Sequence, residues 1–361
     1  MSSRVRRHSP LLFDPTLKPT WRMRLRQRLP RWRIPRPTFR LTALQRRLLI
    51  AGVVLAPIAA AAIAWLRIRA ETSATLVPGE VLLGRNAPLG GIRLFPDDNP
   101  WNTPVDERPV DPASDTWLTV IGLNTPLHPD FGTNRLRTVV YGIPYVVVDG
   151  FEIGGETPVF QYQNESDDGL YPIPAKPPVE VGGDRHVLIL DRSDWRLYEL
   201  YLFGGSPGNR HAGSGAIFDL GSNASRPRGW TSADAAGLPI LPGLIRADEV
   251  YDVGEIRHAL RFTLPRTRSS FVYPARHQAS RVDDVGRPPM GARLRLKREV
   301  DLSAMPPGAR VIAEALKRYG MILADNGSTM YVTGTADRRW KRADIDALKR
   351  LRTGDFEFVV P

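Results

Sequence analysis

Leu48 to Leu66 (LLIAGVVLAPIAAAAIAWL) is a run of nineteen residues without a charge, and no other feature constrains the chain as much. At about 1.5 Å rise per residue, a helix of that length matches the ~30 Å hydrocarbon core of a bilayer. Arg46 and Arg47 precede the run and Arg67 and Arg69 follow it. A soluble core helix is rarely apolar on every face and bracketed by arginines. Two exported readings remain open. One is an uncleaved anchor, with Pro57 as a tolerable kink. The other is a signal peptide cleaved after the small-x-small triplet Ala62-Ile63-Ala64. The forty-seven residues in front of the run are long for a signal peptide unless the true start is Met23, which favours the anchor.

Charge orients the segment. The formal net charge is +12, but residues 1–50 hold fourteen basic residues against one acid, Asp14, while the other 311 residues hold 36 basic and 37 acidic groups. The excess therefore lies before the apolar run, and the body is neutral. By the positive-inside rule the N-terminus stays in the cytoplasm, and the C-terminal domain is periplasmic or extracellular. The expected organisation is a basic Pro/Arg-rich cytoplasmic tail (1–47), a transmembrane anchor (48–66) in the inner membrane, a stalk (67–94) and an exported domain (95–361). The tail (WRMRLRQRLPRWRIPRPTFR) suits contact with anionic headgroups. RNA is the weaker reading for it, and no nucleic-acid partner is expected for the neutral domain. Cysteine is absent, which excludes disulfides, thiolate metal sites and a thiol nucleophile.

The domain reads as mainly β. Val139–Val148, His186–Asp191 and Trp195–Phe203 are β-branched and aromatic runs bounded by Gly, Pro and Asp, the last two forming a hairpin about Arg192-Ser193-Asp194. Further strands are expected at 216–220, 259–264, 271–273, 292–297, 321–324, 330–334 and 357–360. Asn326-Gly327 suits the centre of a hairpin between two of them. Two short helices are expected. One follows Pro306-Pro307 and stops at Gly320, with Val311, Ile312, Ala315, Leu316 and Tyr319 as its apolar face; the other spans 341–351. The fold class that fits is a β-sandwich or jelly-roll-like domain with a few short helices, preceded by one transmembrane helix.

No GxSxG elbow, HExxH, P-loop or dinucleotide fingerprint is present, so no cofactor is expected. His186, His211, His258 and His277 lack ligand spacing, and the acidic run Glu165–Gly169 lacks the rest of a calcium loop, so no metal site is expected. The one unusual stretch is Gly213–Arg261. Loops of this length in a compact β protein are more often functional than idle. It offers Asp219, Asp234 and Glu249 as acid/base carboxylates, His258 to assist, and Trp230, Arg246 and Arg261 to hold a sugar. Structural roles compete at each position. Asp219 suits a cap before Gly221, Asp234 an N-cap, Asp248-Glu249 a solvated helix start, and His258 a hydrogen-bonded core position.

The motifs LFPDDNPWNTPV, LHPDFG, GIPYVVVDG, GDRHVLILDR, GWTSADAAGLPILPGLIR and RYGMILADNG resemble those of a family of uncharacterised exported bacterial proteins, over about residues 94–360. The resemblance implies an extracellular or envelope location and favours polysaccharide as partner. It carries no activity and no catalytic residue. The expected function is a membrane-anchored exported protein that binds or acts on an extracellular or envelope polysaccharide, in its catalytic form a glycoside hydrolase or polysaccharide lyase. A non-catalytic envelope scaffold is one alternative, and an exported serine hydrolase with Ser214 as nucleophile is another.

Overall fold

The computed structural model describes residues 81–136 and 138–361. The basic tail, the apolar run 48–66 and the start of the stalk lie outside them. Among the described residues no helix is long and apolar enough to cross a membrane. Residues 81–94, expected in the stalk, fold into the domain. Gly84–Arg85 pairs with Tyr145–Val148, Leu89 is fully buried, and its N–H donates to the Asp248 carboxylate at 3.0 Å.

The domain is mainly strands with a few short helices. One sheet runs in the order Gly84–Arg85, Tyr145–Val148, Val187–Asp191, Arg196–Tyr201, Ser214–Asp219. A six-stranded sheet runs Phe356–Val359, Arg293–Leu296, Met321–Asp325, Leu260–Thr263, Tyr331–Thr333, His128–Asp130, and two smaller sheets of three and two strands are also present among the described residues. The expected hairpin forms, with Val187 opposite Leu200 and Asp191 opposite Arg196. Its turn is closed by the Asp191 carboxylate, which accepts from the Ser193 N–H at 2.9 Å and hydroxyl at 2.7 Å.

All five residues of Val187–Asp191 are buried because both faces of this sheet are covered. Leu188, Leu190 and Leu197 belong to the main core; Val187, Ile189, Tyr198 and Leu200 pack on Phe160, Tyr171 and Ile173 on the opposite face. A doubly covered strand needs an unbroken apolar run, and that run made it legible in sequence. Each fully buried aliphatic side chain here contributes roughly 1.5–3 kcal/mol.

Pairing departs from a jelly roll, which is antiparallel throughout. Tyr145–Val148 runs parallel to Val187–Asp191, Leu260–Thr263 to Met321–Asp325, and Tyr331–Thr333 to His128–Asp130. The Asn326-Gly327 turn is likewise not a hairpin. Leu260–Thr263 lies between Met321–Asp325 and Tyr331–Thr333 and pairs with both. Leu260 and Phe262 are fully buried, and that burial outweighs the local turn preference. Residues 271–273 contribute only a single bridge, Phe271 to Met290.

The helix Pro307–Arg318 forms with Pro at its first turn, Ile312, Ala315 and Leu316 buried, and Lys317 and Arg318 at its negative end. Gly320 follows at φ 61°, as its stop role requires. The helix Arg342–Leu348 buries Ile345 and Leu348. A helix not expected from sequence, Ser114–Ile121, buries Trp117 and Leu118, and Trp117 meets Phe358 edge-on at 5.1 Å.

The largest departure concerns Gly213–Arg261, expected as a surface loop. After the strand Ser214–Asp219, most of residues 232–250 are buried, and Leu238, Ile240, Leu241, Leu244 and Ile245 join the main core. The segment bonds to the two larger sheets: the Ile240 N–H donates to Glu199 of the five-stranded sheet, and the Ala236 and Ile245 N–H groups to the Ala324 and Thr333 carbonyls of the six-stranded one.

Candidate functional site

Irregular backbone in a core leaves donors and acceptors without ladder partners, and each unpaired group costs about 1–3 kcal/mol. Here buried polar side chains take up the deficit. Glu199, fully buried, accepts from the Ile240 and Leu241 N–H groups at 2.8 and 2.9 Å. Burial pushes its carboxyl up to about 7 against the pull of those two bonds. The Ser232 hydroxyl donates to the Leu238 carbonyl, Arg226 Nε to the Thr231 carbonyl, and His186 Nε2 to the Ala233 carbonyl.

The residues singled out in sequence fall into separate places in this framework. Asp234 is 0 % exposed and forms a bidentate pair with Arg261, at 2.6 Å from Nε and 2.7 Å from Nη2. Arg261 also donates to the Thr333 hydroxyl at 2.7 Å and to Asp325 at 3.2 Å. Glu249 lies in a second buried group. Arg246 Nη2 donates to it at 2.5 Å, and His258 Nε2 is 3.1 Å away while His258 Nδ1 faces the Ala259 carbonyl at 2.8 Å. Burial opposes ionisation of Glu249, but the charges of Arg246 and His258 outweigh it and hold the carboxyl below its ordinary range. Asp248-Glu249 is thus no solvated helix start, and Asp234 is no simple N-cap.

Asp219 sits exposed at a strand end and accepts from the Gly221 N–H at 2.9 Å, the capping role weighed for it. Trp230 is half-buried under the Arg226 guanidinium, 5.6 Å from its ring centroid. Neither shares a described hydrogen bond or ion pair with the Asp234 or Glu249 groups. Ser214 is buried and gives its hydroxyl to the Ser232 carbonyl at 2.7 Å. Asp167 of the acidic run pairs with Arg226. Among the described residues no group of three or more His, Asp or Glu is placed to hold a metal ion.

A cleft of about 520 Å³ lies elsewhere, at the edge strand His128–Asp130. Strand alternation puts His128 and Asp130 on one face and Pro129, buried, on the other. His128 stacks on its cross-strand partner Tyr331, ring centroids 3.9 Å apart and planes at 11°. Phe131 and Trp340 pack at 4.6 Å beneath, and Trp340 is anchored by donation to the Thr335 carbonyl at 2.7 Å. Arg342, Asp346 and Lys349 line the cleft from the helix Arg342–Leu348 and its end, and Arg135 and Tyr141 line it as well. Arg342 and Asp346 neutralise one another at 3.1 Å.

The two edge-strand groups are shifted toward each other. Burial, reinforced by the Lys349 charge, lowers the His128 imidazole, with Asp130 acting against it. Burial raises the Asp130 carboxyl, which His128 and Arg261 pull down and Glu180 pushes up. An imidazole that holds its proton less tightly than usual, beside a carboxyl that holds its proton more tightly, brings the two groups closer in proton affinity, which suits proton transfer.

The Glu180 and Arg261 charges that act on Asp130 belong to further buried ion pairs. His186 is bonded to Glu180 at 2.6 Å and to the Ala233 carbonyl at 3.1 Å, and both nitrogens donate only in the imidazolium form. Burial opposes that charge, but Glu180 overturns the penalty and raises the ring. Asp325 is pushed up to about 7 by burial and by the Asp234 charge, with Arg261 and His186 working against the rise.

Sequence reading passed over His128, Asp130, Tyr331, Lys349 and Asp325. The His-x-Asp spacing in LHPDFG was the available signal for the first two, since alternation places them on one face. Nothing local marks the others, which arrive by pairing of distant strands. No family model matches the chain, and no curated protein or solved structure is significantly similar to it.

Proposed function

We propose that the chain is a membrane-anchored exported protein, related to uncharacterised exported bacterial proteins, whose β-rich, sandwich-like domain takes an extracellular or envelope polysaccharide into the His128–Tyr331–Lys349 cleft. The observation that carries this reading is the cleft itself. A cleft with an aromatic stack in its lining fits a sugar face, and His128, one ring of that stack, shares a strand face with Asp130. In a catalytic form, the Asp130 carboxyl gives a proton to the glycosidic oxygen as its bond to the anomeric carbon breaks, and His128 takes the proton of the water whose oxygen forms the new bond to that carbon. Arg261, held by Asp234, acts on Asp130 as a positioning residue. Glu249, Arg246 and His258 hold the buried segment in place.

A second reading, binding without turnover, draws on a specific observation: the other carboxylate of the cleft, Asp346, is engaged by Arg342. One experiment separates the two. A panel of envelope and extracellular glycans is tested for capture by wild type, Tyr331→Ala and Asp130→Asn, with assays for new reducing ends and unsaturated products. Loss of capture in Tyr331→Ala supports the cleft. Turnover lost in Asp130→Asn with capture retained supports catalysis, and capture without any turnover by wild type supports the binder. Capture unchanged in Tyr331→Ala would remove the cleft assignment.

A further inference from the structure

Apolar side chains scattered singly over a surface need no explanation, whereas exposed ones grouped together mark a contact. Phe151 is 92 % exposed, more than any other large apolar side chain among the described residues, and Ile153 of the same helical turn, Gly150–Ile153, is 41 % exposed. Leu83 is 47 % exposed. It precedes Gly84, whose ladder partner is Val147, so it runs alongside Val148 at the approach to that turn. None of the three belongs to either core cluster.

The turn is held in place. The Gly150 N–H donates to the Asp191 carboxylate at 2.9 Å, the Arg192 N–H donates to the Val148 carbonyl at 3.0 Å, and Gly154 ends the turn at φ 70°. A Cβ at Gly150 would overlap the Asp191 carboxylate, so only glycine fits there. Phe151 is thus fixed at one end of the five-stranded sheet, where Tyr145–Val148 and Val187–Asp191 both finish.

The chain enters the domain at this same end. The Val81 carbonyl accepts from Arg192 Nη1 at 3.0 Å, and Arg192 Nη2 lies 3.8 Å from Asp149, the residue before the turn. Fourteen residues, 67–80, separate Val81 from the apolar run 48–66, and fully extended they reach at most ~50 Å. Charge at this end gives no pull toward anionic headgroups. Arg192 faces Asp149, Arg196 faces Asp194 at 3.5 Å, and Glu152 is exposed. Apolar burial is the force available to it.

We propose that Leu83, Phe151 and Ile153 form a membrane-contact face that seats this end of the domain in the outward-facing leaflet of the bilayer. The proposal rests on the membrane anchor proposed above. Phe151 enters the boundary between headgroups and acyl chains, and Glu152 stays among the headgroups. A tether alone leaves the domain free to rotate, whereas this contact fixes its orientation at the membrane.

The chain has no cysteine, so a single one introduced at position 151 takes a fluorophore selectively. The full chain is reconstituted in phosphatidylcholine vesicles as Phe151→Cys carrying an environment-sensitive nitrobenzoxadiazole label, with Val285→Cys, exposed beside Trp117, as the control. At position 151 emission shifts to shorter wavelength and is lost when lipids with an acyl-chain nitroxide are included, equally at low and high salt; the control changes in neither respect. With the label moved to Glu152→Cys, adding Phe151→Ser and Ile153→Ser reduces quenching to the control level. Release of the chain from the vesicles by alkaline carbonate would remove the anchor, and this inference with it. Retention of the chain, with the label at 151 quenched no more than at 285, would overturn the contact face and leave the anchor standing. A response that follows protein density rather than nitroxide lipid would assign the face to a second copy of the chain and equally overturn the proposal.

Discussion

Replacing Asp234 separates a catalytic carboxylate from a structural one. The side chain is wholly buried and chelates Arg261 at 2.6 and 2.7 Å. Asp234→Ala strands that guanidinium in the core, and breaking a buried pair from one side costs about 3–5 kcal/mol. Asp325, already 3.2 Å from Arg261 Nη2, remains to share the charge, which places the expected loss near the lower limit, about 3 kcal/mol. For a domain of this size each kcal/mol moves the melting temperature by roughly 2–4 °C, so the melt should fall by about 10 °C. Asp234→Asn keeps the shape and loses the charge, so it should fall by an intermediate amount. Replacing the pair together, Asp234→Leu with Arg261→Met, should recover much of the loss, because no uncompensated charge is then left. The assay is thermal unfolding of the full chain in detergent, followed by circular dichroism. A purely catalytic role predicts lost turnover with unchanged stability. If Asp234→Ala melted within ~2 °C of wild type, the buried-pair account would be refuted.

Asp325 is raised from the ordinary carboxylate range to about 7, so between about pH 4 and 7 the folded state binds a proton that the unfolded chain releases. It therefore adds stability at acid pH that is lost as pH rises through 7. Asp325→Asn should flatten that part of the stability–pH curve measured by urea unfolding, and an unchanged slope would contradict the assignment. His186, also raised, contributes in the same sense below its unfolded value and loses that contribution as pH rises, so His186→Gln should lower stability more at pH 5 than at pH 8. Gly142 has φ +109°, and a Cβ there would stand 2.5 Å from the Gly334 carbonyl oxygen. Gly142→Ala should therefore cost about 1–3 kcal/mol in the same unfolding assay, and a neutral result would mean that this strand crossing relaxes freely. Asp219→Asn should leave glycan capture unchanged and stability within about 0.5 kcal/mol, as for an exposed turn cap. A loss of turnover there would return Asp219 to the candidate site.

The strands and helices that were legible share one property: their signals lie within a few residues. The apolar run at 187–191, the hairpin after it, and the Pro307 start and Gly320 stop of the long helix depend on neighbours along the chain. Ser114–Ile121 escaped notice because its β-branched residues argue against a helix. Its formation rests on burying Trp117 and Leu118 against Phe358, more than two hundred residues away in sequence. Asn326-Gly327 misled for the converse reason. Its local preference is genuine, but Leu260–Thr263 inserts between the strands it joins.

The candidate site was legible in part. The segment 213–261 does concentrate the buried charges, and Asp234 does meet Arg261. Length and polarity suggested an exposed loop, however, and exposure belongs to the fold. What the amino-acid sequence by itself determined is the charge asymmetry, the apolar run outside the described residues, the positions of most strands and the ends of the long helix. Those follow from composition and from steric and hydrophobic preferences acting over a few residues. Only the tertiary structure decided which carboxylates serve which ends. Asp219 and Asp234 look alike in sequence, yet one caps a turn in water and the other neutralises an arginine in the core. The same folding brought His128 beside Tyr331 and set the Arg293 guanidinium against three backbone carbonyls. A charge takes its meaning from the dielectric around it and the partner within about 4 Å, and both are set by segments far apart in the chain.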